Sequence, residues 1–325
     1  MSEMIAPKIT VLMSVYNGKT FLAEAVSSVL SQTFRDFEFL IIDDGSTEPV
    51  THLIESFRDE RIRIHTQNNI GLTRSLNRGL ELARGDYVAR MDADDVSLPG
   101  RLKAQAQTLD TDGSVDLVGT FFDVIDAEGN IRERKELIVD DIERLWRLQF
   151  HNNYGHGTIM MRKRAVINAG KYDETLRYAQ DYDLWSRIST KRNTRIIPEP
   201  LYLYRMIEHG AQASVKNYDS QLATAIDISN RNLNLCNPHL TDEQSAEVRA
   251  LYWKFQRDRF SGDGLKLLPD TMEGFCRRYG LTDREEARLA KRVALDLMNE
   301  AQISPDLPPQ ALSGVLTRFR RMAER

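Results

Sequence analysis

The chain predicts an α/β fold: a largely parallel sheet covered by helices, followed by a helical C-terminal region. Three observations carry this. Short apolar, β-branched or aromatic runs alternate with helix-periodic segments through residue 109. Two of those runs end in clustered aspartates, and from about residue 217 the pattern is nearly all helical. The expected division is 1–215 for the sheet-bearing domain and 216–325 for the helical region.

Taken in order, Ile9–Val15, Phe37–Ile42, Ile62–His65 and Tyr87–Met91 read as strands. Between them, a helix begins near Thr20 with Phe21, Ala25 and Val29 on one face, and Gly71–Ala83 repeats Leu72, Leu76 and Leu80 before stopping at Gly85. Pro99 opens a helix to about Leu109, which completes a βαβαβαβ run. Leu117–Ile125 is a further strand, closed by the turn DAEGN. A helix around 142–150, a strand around 158–161, a helix from about 181 to 190 and short strands near Ile196 and Tyr202 make a less regular half, suited to an acceptor face. The C-terminal helices break at Pro238, Gly262–Gly264, Gly280 and 304–309, and Val248, Leu251, Tyr252 and Phe255 form an apolar stripe.

A chain of 325 residues with 41% apolar and 28% charged residues has the makings of a sizeable packed core. Its net charge of −4 gives no general attraction to nucleic acid, so none is expected as a partner. Cys236 and Cys276 have no paired spacing, which argues against a disulfide framework or thiolate zinc site and suits a reducing cytoplasm. The apolar stretch Ile9–Val15 is too short to span a bilayer and lacks a basic flank, and no later window reaches the roughly 20 apolar residues a spanning helix needs. Any membrane contact is expected from the surface, at the inner face.

The carboxylates are more informative by position than by number. Asp43 and Asp44 follow FEFLII and precede GST, at the carboxyl end of a buried strand, where open α/β sheets bind ligands. A carboxylate there can accept from a nucleobase or ribose, with Gly45 letting the loop approach a ligand. Equally, the segment is a turn capped by Ser46 or Thr47. Asp92, Asp94 and Asp95 follow YVARM along the same edge. Three mutually repelling carboxylates fit an oxygen-lined site for a hard cation, Mg²⁺ or Mn²⁺, shared with substrate phosphates. Asp95 has a second reading as a cap for the turn to Pro99. In NNIGLTRSLNRG, Arg74 and Asn77 open a helix, a place that attracts phosphate, although Arg74 alone also reads as a solvated helix face.

The succession VLMSVYNG, LIIDDGST, NNIGLTRSLNRG, ARMDADDVSLPGRL and YAQDYDLWSRI, over about residues 8 to 205, resembles the family 2 glycosyltransferases of the GT-A fold. The resemblance implies a Rossmann-like mixed sheet flanked by helices, an inverting mechanism, and a donor that is a nucleoside-diphosphate sugar, UDP-linked by default and dTDP-linked next. By the same resemblance Val15, Tyr16, Asn17, Asp43 and Asp44 meet the nucleoside. Asp92 and Ala93 meet the donor, and Asp94, with Asp92, holds the metal. Many members carry an arginine just before Asn77, where this chain has Leu76; Arg74 stands nearest to take that part. The family's catalytic base lies in a Glu-Asp pair opening a helix. Here that pair is Gln180–Asp181, so Asp181 is the expected base and Gln180 an acceptor contact, while Asp181 alone also reads as a helix-dipole aspartate. His156 matches a histidine beside the acceptor, and His209 one that approaches the metal or diphosphate; a lone histidine is more often structural. The acceptor class implied is a glycan or lipid-linked glycan of a bacterial surface polysaccharide or lipopolysaccharide.

Two rival functions make different predictions. A sugar nucleotidyltransferase needs a glycine-rich basic loop after the first strand, and VYNGKTF supplies one glycine and one lysine. A non-catalytic binding protein would bind nucleotide without turnover, with Gln180 marking decay. In the last segment, Val315, Leu316, Phe319 and Met322 lie near one face of an arginine-rich helix, which either docks on its own domain or touches a membrane surface.

Overall fold

The computed structural model describes residues 6–207, 217–253, 262–303 and 309–324. The chain divides into two compact units. The first comprises Met1–Val139, Tyr154–Ser189 and Asn193–Gln221; the second comprises Asp140–Asn153, Thr190–Arg192 and Leu222–Arg325.

In the first unit the order is β1 (Ile9–Val15), α1 (Lys19–Leu30), β2 (Phe37–Asp43), α2 (Thr51–Glu55), β3 (Ile62–Thr66), α3 (Leu72–Leu82), β4 (Tyr87–Met91), β5 (Val96–Ser97), α4 (Arg101–Thr111), β6 (Leu117–Ile125) and β7 (Ile131–Lys135). The chain then makes α5 (Asp141–Leu148) in the second unit and returns as β8 (Met160–Arg162), α6 (Lys163–Asn168), α7 (Gln180–Ile188) and β9 (Thr194–Arg205). The strands form a nine-stranded mixed sheet in the order β3-β2-β1-β4-β8-β6-β9-β5, with β7 paired to β6.

Two features of this sheet position the site. Strand β1 lies between β2 and β4, parallel to both, so the chain departs from it in opposite directions, which opens a crevice at the carboxyl ends. The registers Val15↔Asp43 and Met13↔Met91 then bring the segments after β1, β2 and β4 side by side. The central strands are buried on both faces. Ile9, Val11 and Met13 join Tyr87, Ala89 and Met91 in one core cluster with α1 and α4, which leaves Leu12, Val88 and Arg90 on the opposite face. On that face α3 packs so closely that a Cβ on Gly79 would stand 2.2 Å from a Leu12 methyl.

Strand β9 is one 12-residue element where the sequence predicts two short strands. Pro198 and Pro200 suggest a break, but the ladder to β6 absorbs them in register shifts between Thr120 and Phe121 and between Phe121 and Asp123.

The second unit is helical: Tyr218–Cys236, Asp242–Ala250, Gly262–Tyr279, Asp283–Ile303 and Pro309–Ala323. Helix α5, which the expected division places within 1–215, packs here instead: Ile142, Leu145, Trp146 and Phe150 share a core with Leu268, Met272, Phe275, Leu289 and Val293. The Trp146 indole meets Phe275 edge-on and donates to the Tyr252 hydroxyl at 2.8 Å. Val315, Phe319 and Met322 are buried in this same core, with Leu316 packed against it. The apolar face offered for a membrane surface is thus spent on docking. Phe255 and 304–308 lie outside the described residues.

Candidate active site

The first wall of the crevice is built by two loops that hold each other. Asn17 sits in left-handed backbone (φ 54°), and its side-chain carbonyl accepts from the Thr47 amide at 2.8 Å and hydroxyl at 3.0 Å, while its own amide donates to Ser46 Oγ. Asp43, buried, accepts from the Ser46 amide at 3.0 Å, which closes the turn. Asp44, also buried, accepts from the Ile70 and Gly71 amides, each at 2.9 Å, and from Gln67 Nε2 at 2.8 Å. Both carboxylates therefore hold the loops at this end of the sheet in shape. Gly45 (φ +75°) is required by the chain's own packing, since a Cβ there would meet the Asn69 amide nitrogen at 2.6 Å. Val15 is buried under this wall, and Tyr16 is half exposed above it.

The second wall is the Asp92–Asp95 loop, whose repulsion is met by buried cations. Arg90, inside β4 and 1% exposed, pairs with Asp92 Oδ1 at 2.5 Å and donates to the Met91 carbonyl. Asp95 is buried and accepts from the Tyr202 hydroxyl at 2.8 Å and the Arg205 amide at 2.7 Å; it fastens the loop to β9 and does not cap the turn to Pro99. Arg205 also donates to the Asp94 carbonyl at 2.9 Å and to Glu24 at 2.6 Å. Beneath, Arg101 donates to the Arg90 carbonyl and lies over the Tyr202 ring; burial pushes its guanidinium down to about 10. Asp94 is different. Burial, and then the charge of Asp92, raises its carboxyl to about 6, and its own backbone amide is the hydrogen-bond donor it has among the described residues. Ala93 lies between the two at the loop's crest, half-buried.

The third wall faces α3 and α7. Asn77 is buried: Nδ2 donates to the Tyr172 carbonyl and to Glu174, both at 2.9 Å, and Oδ1 accepts from the Tyr172 amide at 3.0 Å. Its observed work is to hold the 172–174 segment. Arg74 is exposed and 3.5 Å from Glu174. Tyr172 in turn bonds His156 Nε2 at 2.9 Å, and both rings pack near Trp185. His156 is held well below the usual histidine range by burial and by the Arg90 charge, so it is neutral at pH 7. Gln180 and Asp181 open α7 directly after Ala179, which is in left-handed backbone (φ 51°). Gln180 is buried and Asp181 half-buried. Burial raises the Tyr172 hydroxyl; Arg90 opposes this, and Asp181 and Asp92 add to it, so the four groups share one electrostatic neighbourhood. Asp183 faces away, bonded to Arg187 at 2.7 Å.

The structure thus gathers Val15, Tyr16, Asn17, Asp43, Asp44, Asp92, Ala93 and Asp94 along one edge, with Asp181, Gln180 and His156 on the α7 side. His209 lies outside the described residues. Sequence reasoning missed Arg90, Tyr172, Tyr202 and Arg205; the available signal was a charged residue inside the otherwise apolar strand YVARM.

Comparison with known proteins places the chain in a family. The profile of Glycosyl transferase family 2 matches residues 10–170. An uncharacterized glycosyltransferase of Methanocaldococcus jannaschii is 33% identical over 210 residues, which is 63% of this chain and 72% of that protein. The O-antigen biosynthesis glycosyltransferase WbnJ of Escherichia coli is 32% identical over 227 residues, 67% of this chain and 87% of its own. Among solved structures, S. aureus TarS 1-349 in complex with UDP-GlcNAc aligns over 97% of this chain and 92% of its own with a TM-score of 0.58 at 16% identity, a likeness of fold. With the match spanning β1 through α6 and relatives covered over most of their length, the chain belongs to the family 2 glycosyltransferases.

Proposed function

We propose that this glycosyltransferase moves a sugar from a UDP-sugar to a hydroxyl of a glycan or lipid-linked glycan, in the assembly of a bacterial surface polysaccharide, with inversion at the anomeric carbon. The observation that carries the reading is the alignment of Asp92 and Asp94 with the ends of β1 and β2 on one edge, with Asp181 at the start of α7 acting, like Asp92, on Tyr172. The printed names of relatives support the acceptor class: WbnJ is an O-antigen enzyme, and AmsE of Erwinia amylovora, 32% identical over 188 residues, acts in amylovoran biosynthesis. The complex of TarS with UDP-GlcNAc supports the donor class.

Among the described residues no three His, Cys, Asp or Glu side chains form a ready-made metal cage. A half-buried carboxylate beside a second one nevertheless fits Mn²⁺ or Mg²⁺ held with substrate phosphates, because such ions take one or two carboxylates and complete their shell with phosphate and water oxygens. Asp94, with Asp92 beside it, would hold the ion, and when bound it supplies positive charge to the diphosphate.

In the reaction, Asp181 takes the proton of the acceptor hydroxyl as that oxygen bonds to the anomeric carbon, and the bond from that carbon to the diphosphate oxygen breaks with its electron pair leaving on the diphosphate. Asp92 orients the sugar, and Tyr16 covers the base. His156, bonded through Nε2 to the Tyr172 hydroxyl, serves as the acceptor contact in this reading. Among the described residues no helix is long and apolar enough to cross a bilayer.

The test is calorimetric titration of UDP, dTDP and UDP-GlcNAc with and without Mn²⁺, on wild type and Asp94→Ala. The expected result is Mn²⁺-dependent binding that falls about 100-fold or more in the variant, with loss of transfer. Binding that is unaltered by Mn²⁺ and by the substitution removes Asp94 from the donor site. NMR of the product anomer checks inversion.

A further inference from the structure

Arg90 stands in the middle of a strand whose neighbours Tyr87, Val88, Ala89 and Met91 are all buried and apolar. Taking a guanidinium into that layer is costly unless its charge and donors are used. Arg101, the comparable buried arginine below it, uses all of its nitrogens: Nε on Gln105, Nη1 on Ser97, and Nη2 on the Arg90 and Ile159 carbonyls. Arg90 does not. Its Nη2 holds Asp92 Oδ1 and its Nη1 the Met91 carbonyl, while its buried Nε has no partner among the described residues.

The pair it makes is directional. Arg90 binds one oxygen of Asp92, the other oxygen has no protein partner among the described residues, and the Asp92 side chain remains 31% exposed. By strand alternation Arg90 lies on the α3 side of the sheet, where its charge reaches Tyr172 and His156.

We infer that Arg90 is a positioning residue for the transfer reaction: by clamping Oδ1 of Asp92 from below it turns Oδ2 toward the donor sugar, and it ties that carboxylate to the layer carrying Tyr172 and His156 on the acceptor side. This rests on Asp92 being a donor contact.

The experiment is a double-substitution cycle read by calorimetric titration of UDP-GlcNAc with Mn²⁺, beside the transfer rate and Tm of each variant. Arg90→Lys keeps the charge and Arg90→Met the volume, so a folded background is available in at least one of them, and Asp92→Asn is made in wild type and in each. If Arg90 acts through Asp92, Asp92→Asn weakens UDP-GlcNAc binding about 10-fold in wild type and less than about 2-fold once Arg90 is replaced, and KM for the donor rises more than kcat falls. If the 10-fold loss recurs in the Arg90 variants, the two residues are independent and the proposal is overturned. A wild type in which Asp92→Asn costs nothing, while UDP binding persists, overturns it as well by removing Asp92 from the donor contacts. A wild type that binds neither UDP nor UDP-GlcNAc defeats the functional reading itself, before any variant is made.

Discussion

At the scale of single residues, position at the sheet edge does not by itself make a carboxylate a ligand-binding group. Asp43, Asp44 and Asp95 all stand at that edge, and each also accepts from backbone amides or a tyrosine hydroxyl that fix the loops. Asp94 and Asp181 are both half-buried, and the proposed function gives them different parts, at the donor and at the acceptor. Their roles separate in experiment: Asp181→Asn should lower kcat by about 100- to 10,000-fold, the range for loss of a general base, with UDP affinity within about twofold of wild type. A parallel loss of UDP binding would move Asp181 from the acceptor to the donor. The aspartates were legible because DDG and DADD follow apolar strands. Arg90, Tyr172 and Tyr202 were not, since a single buried arginine or tyrosine carries no spacing signal and acquires its meaning from strands far apart in sequence.

At the scale of elements, β1 to β4 were legible almost to the residue, because each is a short apolar run between turn signals. Strand β9 and helix α5 were not. Prolines hid the continuity of β9, and the apolar face of α5 looks the same whether its partner is a sheet or other helices. The parallel strands also carry a buried polar tie that periodicity cannot show: Glu38 in β2 accepts from Thr10 of β1 at 2.7 Å and from the Arg84 amide at 2.6 Å, and pairs with Arg63 of β3 at 2.5 Å. Burial works against the Glu38 charge, but Thr10, the Arg84 amide and Arg63 together lower its carboxyl below the ordinary glutamate value of 4.5. A group lowered on folding contributes stability that is present above the unfolded value and is lost as pH falls through the folded one. Denaturant melts should therefore show wild-type stability falling more steeply than that of Glu38→Gln below about pH 4.5, with the largest difference between them above it. Parallel curves through that range would remove Glu38 from the acid response.

At the scale of the whole molecule, the second unit is not a simple tail. Asp140–Asn153 enters it from the middle of the chain, carrying Trp146 and Phe150 into its core. A chain ending at residue 216 keeps those side chains and removes Phe275, Val293 and Phe319, against which they pack. It is expected to bind the dye ANS and elute as aggregates on size exclusion, whereas the full chain does not. A monomeric, dye-silent truncation would mean that α5 finds another cover. Because one core draws on two separate stretches of sequence, exchange of the C-terminal region between relatives cannot proceed by a single crossover. A chimera that swaps only the end of the chain inherits a mismatched α5, and recombination, natural or designed, must carry both stretches together to leave a foldable hybrid.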